Sequence, residues 1–158
     1  AVTHDMSERL SWYLFSEISQ KRPAYVQAQT NMKEICLKCH TKGRIDAFYV
    51  AAETQLAQTN SIVSEAKAIM DELHKSGKLT AKPFDEPLEY TYFNMWHYAG
   101  RTSKHGAFMG GADFVQWHGN YELVSQLTEI RKAAGEMGWK PAPVTTPAMA
   151  PANPPATH

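Results

Sequence analysis

The chain has 158 residues, and its 16 lysines plus arginines balance 16 aspartates plus glutamates, so the formal net charge is zero. This length suits one domain with a real core. The lack of a basic excess argues against nucleic acid as a partner. No apolar run approaches the roughly 18 residues that a membrane helix requires, so no membrane span is expected.

The hydrophobic pattern predicts helices throughout and no strands. A first helix is expected from Asp5, its N-cap, to a stop before Pro23, with Glu8 in the capping-box position. Its apolar residues are Leu10, Trp12, Leu14, Phe15 and Ile18. Pro23 then suits the first turn of a second helix, which runs into the segment Cys36-Leu37-Lys38-Cys39-His40.

The third helix is the longest. From Ile45 to Leu73, apolar or small side chains recur in alternating steps of four and three, which is typical of a coiled-coil-like seam. The seam consists of Ile45, Tyr49, Ala52, Leu56, Thr59, Val63, Ala66, Met70 and Leu73. Ser76-Gly77 is expected to end this helix, and a helix of this length needs a long partner to cover its seam.

A fourth, aromatic-rich helix is expected from Pro87, and glycines at 106, 110 and 111 predict a turn after it. A last helix ends around Gly138. The tail from Lys140 is rich in proline and alanine and is expected to be flexible. We therefore predict an all-α fold: residues 1–139 form a bundle of long antiparallel helices that carries one covalently bound haem c, and 140–158 form the tail.

The segment Cys36-Leu37-Lys38-Cys39-His40 has the C-x-x-C-H pattern that is specific for haem c. The two thiols bind the haem vinyl groups, and the imidazole of His40 is the proximal iron ligand. A zinc site would need further ligands, and the chain has no other cysteine. A redox-active C-x-x-C motif is typical of a βαβ context, which this sequence lacks.

The sixth iron ligand separates electron transfer from chemistry at an open iron. Spacing alone leaves His4, His97, His105, His118 and the methionines Met32, Met95 and Met109 as candidates. His74 and His158 are interpreted as solvated. The tryptophans Trp12, Trp96 and Trp117 are expected to pack in the core or on the haem. Arg101, Lys104 and Asp113 are interpreted as a solvated helix face.

The expected location is the periplasm or another compartment outside the cytoplasm, where bacteria attach haem c. The first residues, Ala1-Val2-Thr3, also suit a mature chain after a small-residue cleavage site, so a cleaved export signal is inferred.

Three stretches resemble the C-terminal part of the octahaem hydroxylamine oxidoreductase family: THDMSERLSW at 3–12, MKEICLKCHTKGRIDAFY at 32–49 and MWHYAGRTSKHGAFMGGADFVQWHGNYEL at 95–123. In that family this region carries the last haem and packs long helices together, usually in a trimer. The resemblance implies that His4 is the distal ligand of this haem, or of a neighbouring haem in the full enzyme, and we favour the first. It also implies that Phe114 stands where oxidative members have a cross-linking tyrosine, so that this cross-link cannot form through residue 114.

Seven haem motifs of that family are absent here, and with them its catalytic haem. The favoured hypothesis is a monohaem c-type cytochrome that transfers electrons between periplasmic redox proteins through six-coordinate iron. The first alternative is a subunit of a hydroxylamine oxidoreductase-like multihaem complex in nitrogen-oxide redox metabolism. The second is a haem protein that binds NO or CO. Redox proteins, including a multihaem cytochrome chain, are the expected partners, and the long helices favour an oligomer. The sequence does not decide whether the chain is itself an enzyme.

Overall fold

The computed structural model describes residues 10–141, and this part of the chain is all-helical apart from its loops. The α-helices are α1 (Tyr25–Cys36), α2 (Lys42–Lys75), α3 (Pro87–Asn94), α4 (Arg101–Met109), α5 (Ala112–Val115) and α6 (Tyr121–Glu136). The π-helical segment Met95–Gly100 joins α3 to α4, and the π-helical segment Gln116–Asn120 joins α5 to α6. The all-α prediction is confirmed for the described residues. Asp5, Glu8 and the tail from residue 142 lie outside them.

Helix α2 is the axis of the fold. Its 34 residues extend about 50 Å at 1.5 Å per residue. Every residue of the predicted seam is buried in the structure. The predicted end is also confirmed, because Ser76 caps the helix and Gly77 follows with a φ of 70°. None of the helices in 10–141 is long and apolar enough to cross a membrane.

The helices reverse direction at each loop. Helix α1 runs antiparallel to α2, since Lys33 bonds Asp46 while the earlier Gln29 bonds the later Glu53. The α3–α4 rod (87–109) is antiparallel to α2 as well. The α5–α6 rod (112–136) has instead returned to the direction of α2, because two reversals separate them. Asn120, Arg131 and Trp139 accordingly meet Gln55, Glu65 and Glu72 in the same order. The predicted antiparallel packing therefore holds between consecutive rods, while the pair that closes the bundle is parallel.

Two apolar clusters cover the two halves of the α2 seam. The larger one surrounds the second half, with residues such as Val63, Met95, Leu123 and Ile130. The smaller one surrounds the first half and includes Leu14, Ile45, Tyr49, Leu56 and Phe108. A polar layer lies between them, formed by Gln55, Thr59, Ser103 and Asn120, which bond one another at 2.7 to 3.3 Å. Hydrogen bonds inside this layer satisfy polar groups that burial would otherwise penalise.

The predicted first helix does not form in residues 10–22, the part of it that the structure describes. Residues 11–22 form a hairpin loop, in which Tyr13 N donates to Gln20 O at 2.8 Å and Arg22 N donates to Ser11 O at 3.0 Å. The side chain of Asn60 bonds the backbone N and O of Ser19, both at 3.2 Å. Serine side chains compete for backbone hydrogen bonds and weaken helices. Leu14 is still buried in this loop. An apolar residue at a helix-like spacing can therefore reach the core without a helix.

The predicted glycine turn is shorter than expected. Gly110 and Gly111 form it, and Gly110 has a φ of 74°. Gly106 lies inside α4, where a Cβ would come within 2.7 Å of Val115 Cγ2. The glycine at 106 therefore serves a close approach between α4 and α5 and does not serve a turn.

Gly119 allows a close approach between the α3–α4 rod and the α5–α6 rod, and its replacement gives a testable prediction. A Cβ at residue 119 would lie 2.8 Å from the Cα of Ser103, a backbone atom that cannot move aside cheaply. We expect Gly119→Ala to lower the free energy of unfolding by about 1–3 kcal/mol, as overpacking does, in urea denaturation. Gly135→Ala is the matched control because nothing lies within 4 Å of its Cβ, and it should be neutral or stabilising by about 0.5–1 kcal/mol. Equal effects of the two substitutions would contradict this account.

Candidate functional site

The 36–40 segment lies at the junction of α1 and α2. Helix α1 ends at Cys36, and one further helical turn follows, in which His40 N donates to Cys36 O at 2.9 Å and Cys39 N donates to the same oxygen at 3.1 Å. The chain then bends, and the hydroxyl of Thr41 caps α2 by accepting from Arg44 N at 3.4 Å. A single turn of backbone thus presents both thiols and the imidazole, as the spacing predicts.

The side chains of Cys36, Cys39 and His40 are all at least partly exposed. Both cysteines are free thiols: Cys36 is half-buried against the smaller apolar cluster, and Cys39 is exposed. His40 is exposed beside them. Two reduced thiols and a neighbouring imidazole form the donor set that haem c requires. The residues present therefore fit that group.

Charged side chains surround the segment. Asp46 of α2 lies between Lys42 and Lys33, whose Nζ is 3.3 Å from Asp46 Oδ1. Hydrogen bonds from Lys42 and then from Lys33 hold the pKa of Asp46 below its usual value. Lys33 and Lys42 also line an open cleft of about 330 Å³ beside Leu37 and Ile45, at the junction of the two helices. The segment therefore has lysines within reach of any acidic group placed there.

Three candidate distal histidines lie far along the bundle from His40. Gln55 of α2 donates to Ser103 at 3.0 Å and to Asn120 at 2.7 Å, which places the neighbouring His105 and His118 level with it. Gln55 is about 20 Å along α2 from Thr41 at 1.5 Å per residue. His97 is farther still, because Gly100 packs against Val63, two turns beyond Gln55.

The same histidines have other neighbours. The ring of His97 stacks on Phe93 with centroids 4.6 Å apart, and its Nε2 is 3.3 Å from Arg101 Nη1. Burial, together with the positive charges of Arg101 and Lys104, lowers the pKa of His105. His118 is exposed beside Phe114.

The remaining candidates differ in burial. Met95 is buried in the larger cluster, Met32 is buried in α1 one turn before Cys36, and Met109 is exposed. His74 is exposed, as interpreted from the sequence, and its Nδ1 lies 3.0 Å from Thr80 O. His4 and His158 lie outside the described residues.

Two interpretations of helix faces are corrected. Lys104, assigned to a solvated face, is fully buried, and its Nζ donates to Ser19 Oγ at 2.8 Å. Burial lowers its pKa to about 8. Trp117, expected in the core or on the haem, is 64% exposed and so is not a core residue, whereas Trp12 and Trp96 are partly buried. In both cases periodicity identified a face of a helix but could not tell what covers it.

An exposed aromatic face on the α5–α6 rod is a feature that sequence reasoning missed. Its members are spaced by three or four residues along one side of the rod, which is the signal that could have revealed it. They are Phe114, Trp117, Tyr121 and Val124, each between 50% and 64% exposed. An aromatic side chain covers about 150–250 Å², so these residues expose a patch of the size that marks interaction sites.

Comparison with known proteins shows the fold. No protein-family model matches the sequence, and no curated protein matches it. Among solved structures, the chain is similar to a chain of the reducing HAO-like protein complex of Kuenenia stuttgartiensis, with a TM-score of 0.68 and 15% identity. The match covers 74% of this chain and 34% of that one, so this chain spans about a third of the length of its structural neighbour. The shared feature is the helical architecture.

Proposed function

We propose that this chain is a c-type cytochrome with a single haem, which passes one electron at a time between redox proteins outside the cytoplasm. The observation that carries the proposal is the helical turn at 36–40, which presents two free thiols and an imidazole together. Cys36 and Cys39 would form the thioether bonds, and His40 would be the proximal ligand. The bound haem would supply an iron that alternates between two oxidation states.

His4 remains the proposed distal ligand. Leu10, the first described residue, packs against the same apolar cluster as Cys36. The six residues back to His4 can span at most about 20 Å in an extended chain. His97, His105 and His118 would have to cross a comparable or larger distance along α2 with side chains alone. The shared fold supports a distant relationship to HAO-like proteins, and the choice of His4 itself rests on the sequence resemblance to that family.

The haem itself is tested by expressing the chain together with a c-type maturation system and denaturing it. We expect the haem to stay bound to the unfolded chain and to give the absorption bands of a thioether-linked haem. Cys36→Ala and Cys39→Ala should each weaken this attachment, and replacing both should abolish it, because no other cysteine exists. A chain that releases all its haem on denaturation would contradict the proposal.

The alternative function, a subunit of an HAO-like multihaem complex, is favoured by one observation. The exposed aromatic face of the α5–α6 rod has no partner among residues 10–141 and is large enough to bind another chain. Native mass spectrometry of the wild type would reveal such a complex. Trp117→Ala with Tyr121→Ala should then dissociate it. Phe15→Ala should not, although Phe15 is an even more exposed aromatic residue on another surface. A wild type that remains a monohaem monomer beside candidate partners would exclude the alternative.

A further inference from the structure

Positive charge is concentrated at the end of the bundle that carries the 36–40 segment. Residues 33–46 contain four cations, Lys33, Lys38, Lys42 and Arg44, against two acids, Glu34 and Asp46. The chain as a whole has no net charge. A local excess on a neutral chain is a physical feature in its own right, because the field near a surface follows the charges within about 10 Å at moderate salt.

This excess is not neutralised by ion pairs within the described chain. Asp46 pairs with both Lys33 and Lys42, so one negative charge is shared by two cations. No carboxylate in residues 10–141 forms a salt bridge with Lys38 or Arg44. Both side chains belong to exposed residues. Within the described part of the chain, the charges of Lys38 and Arg44 therefore face the solvent without an acidic partner.

The start of α2 adds to the same potential. A helix N-terminus carries a partial positive charge and favours acidic side chains in its first turn. The first turn of α2 has no acidic residue and carries Lys42 and Arg44 instead. These cations do not stabilise the helix, since they oppose its dipole. A role of this surface in binding an acidic partner would explain their position.

The centre of this end is suited to contact with a protein. Leu37 is 49% exposed and lies between the cysteines, with Cys39 and His40 exposed beside it. An apolar centre with a charged rim is the arrangement of small electron-transfer interfaces, in which complementary charge steers the encounter. We propose that this end, defined by Leu37, Lys38, Lys42 and Arg44, is the docking surface for an acidic face of a redox-partner protein. This inference rests on the proposed function and names the partner's chemistry.

The surface can be mapped with hexacyanochromate(III), a paramagnetic trianion, by NMR of the holoprotein at low ionic strength. We expect the amide signals of residues 37–44 to broaden, those of α6 to stay sharp, and added salt to reverse the effect. The double variant Lys38→Glu with Arg44→Glu should lose the broadening. The matched control, Lys75→Glu with Lys132→Glu, makes the same change in net charge at exposed lysines elsewhere and should keep it.

Electron-transfer kinetics give a second readout. When ferricyanide oxidises the reduced protein, one electron leaves the protein and ferrocyanide forms, with no bond made or broken. We expect the rate constant to fall roughly tenfold between about 10 mM and about 200 mM ionic strength. A cationic oxidant, tris(phenanthroline)cobalt(III), should show the opposite trend. Lys38 lies inside the haem motif, so Lys38→Glu could impair haem attachment. Arg44 lies outside the motif, and Arg44→Glu alone should also weaken both trends.

The outcomes separate this inference from the proposed function. A chain without covalent haem would contradict the proposed function, whereas the anion probe would still report on the surface. Broadening elsewhere, or the same loss in the control variant, would overturn the docking surface and leave the cytochrome intact. Protection of residues 37–44 by rising protein concentration without any probe would also overturn it, because a second copy would then occupy the site.

Discussion

Replacing Lys104 by methionine is expected to stabilise the protein by about 1–3 kcal/mol at pH 7, as the exchange of buried charges for apolar side chains often does. The Lys104 side chain is fully buried, and its Nζ has one hydrogen bond, to Ser19 Oγ. No carboxylate in residues 10–141 forms a salt bridge with it. The buried ammonium therefore costs free energy that a methionine of similar length would not.

The pH dependence of this effect has a defined sign. Burial lowers the pKa of Lys104 from 10.5 to about 8 in the folded protein, and this difference corresponds to roughly 3 kcal/mol at most. Below about pH 8 both states hold the proton, and the folded state bears the full cost. Between about pH 8 and pH 10.5 only the unfolded state keeps the proton, so wild-type stability should rise with pH.

Urea denaturation of the wild type and Lys104→Met across this range checks the prediction. The difference in unfolding free energy between the two proteins should shrink as pH rises. Taking this difference cancels the contributions of other titrating groups, which both proteins share. Tyr92 is such a group, since burial and Glu17 raise its pKa and stability should fall above about pH 10. Lys132→Met, at an exposed position, is the control and should change little. A Lys104→Met protein that is less stable than wild type at pH 7 would refute this account.

Replacing His4 by alanine is expected to convert low-spin iron to high-spin iron in the holoprotein. The wild-type spectrum should show sharp low-spin bands that CO does not alter, because the proposed ligands His40 and His4 would fill both axial positions. Without the His4 imidazole, the sixth position opens, and the reduced protein should bind CO. Optical spectra of oxidised and reduced protein, with and without CO, measure this directly.

His105→Ala and His118→Ala are the controls for this prediction. Both residues lie level with Gln55, about 20 Å along α2 from Thr41, so both variants should keep the wild-type spectrum. A His4→Ala protein with unchanged spectrum would show that another residue is the ligand. A wild type that is already high-spin and binds CO would instead favour the NO- or CO-binding alternative.

The sequence by itself determined the features that depend on local order. The α2 seam follows from a heptad-like period, and each residue from Ile45 to Leu73 that the pattern selected is buried. The end of α2 follows from Ser76-Gly77. The turn at 36–40 follows from the spacing of two cysteines and a histidine. A periodic pattern or a short motif encodes such features because they involve neighbours along the chain.

Only the tertiary structure decided which faces are covered and which elements meet. Leu10, Leu14 and Ile18 have a helical spacing, yet Asn60 of α2 satisfies the backbone of Ser19 and holds this segment as a hairpin loop. Lys104 is buried because the hairpin loop covers its face of α4. Trp117 is exposed because nothing in 10–141 covers its face of the α5–α6 rod. Burial depends on what packs against a residue from distant parts of the chain, and a local pattern does not contain that information.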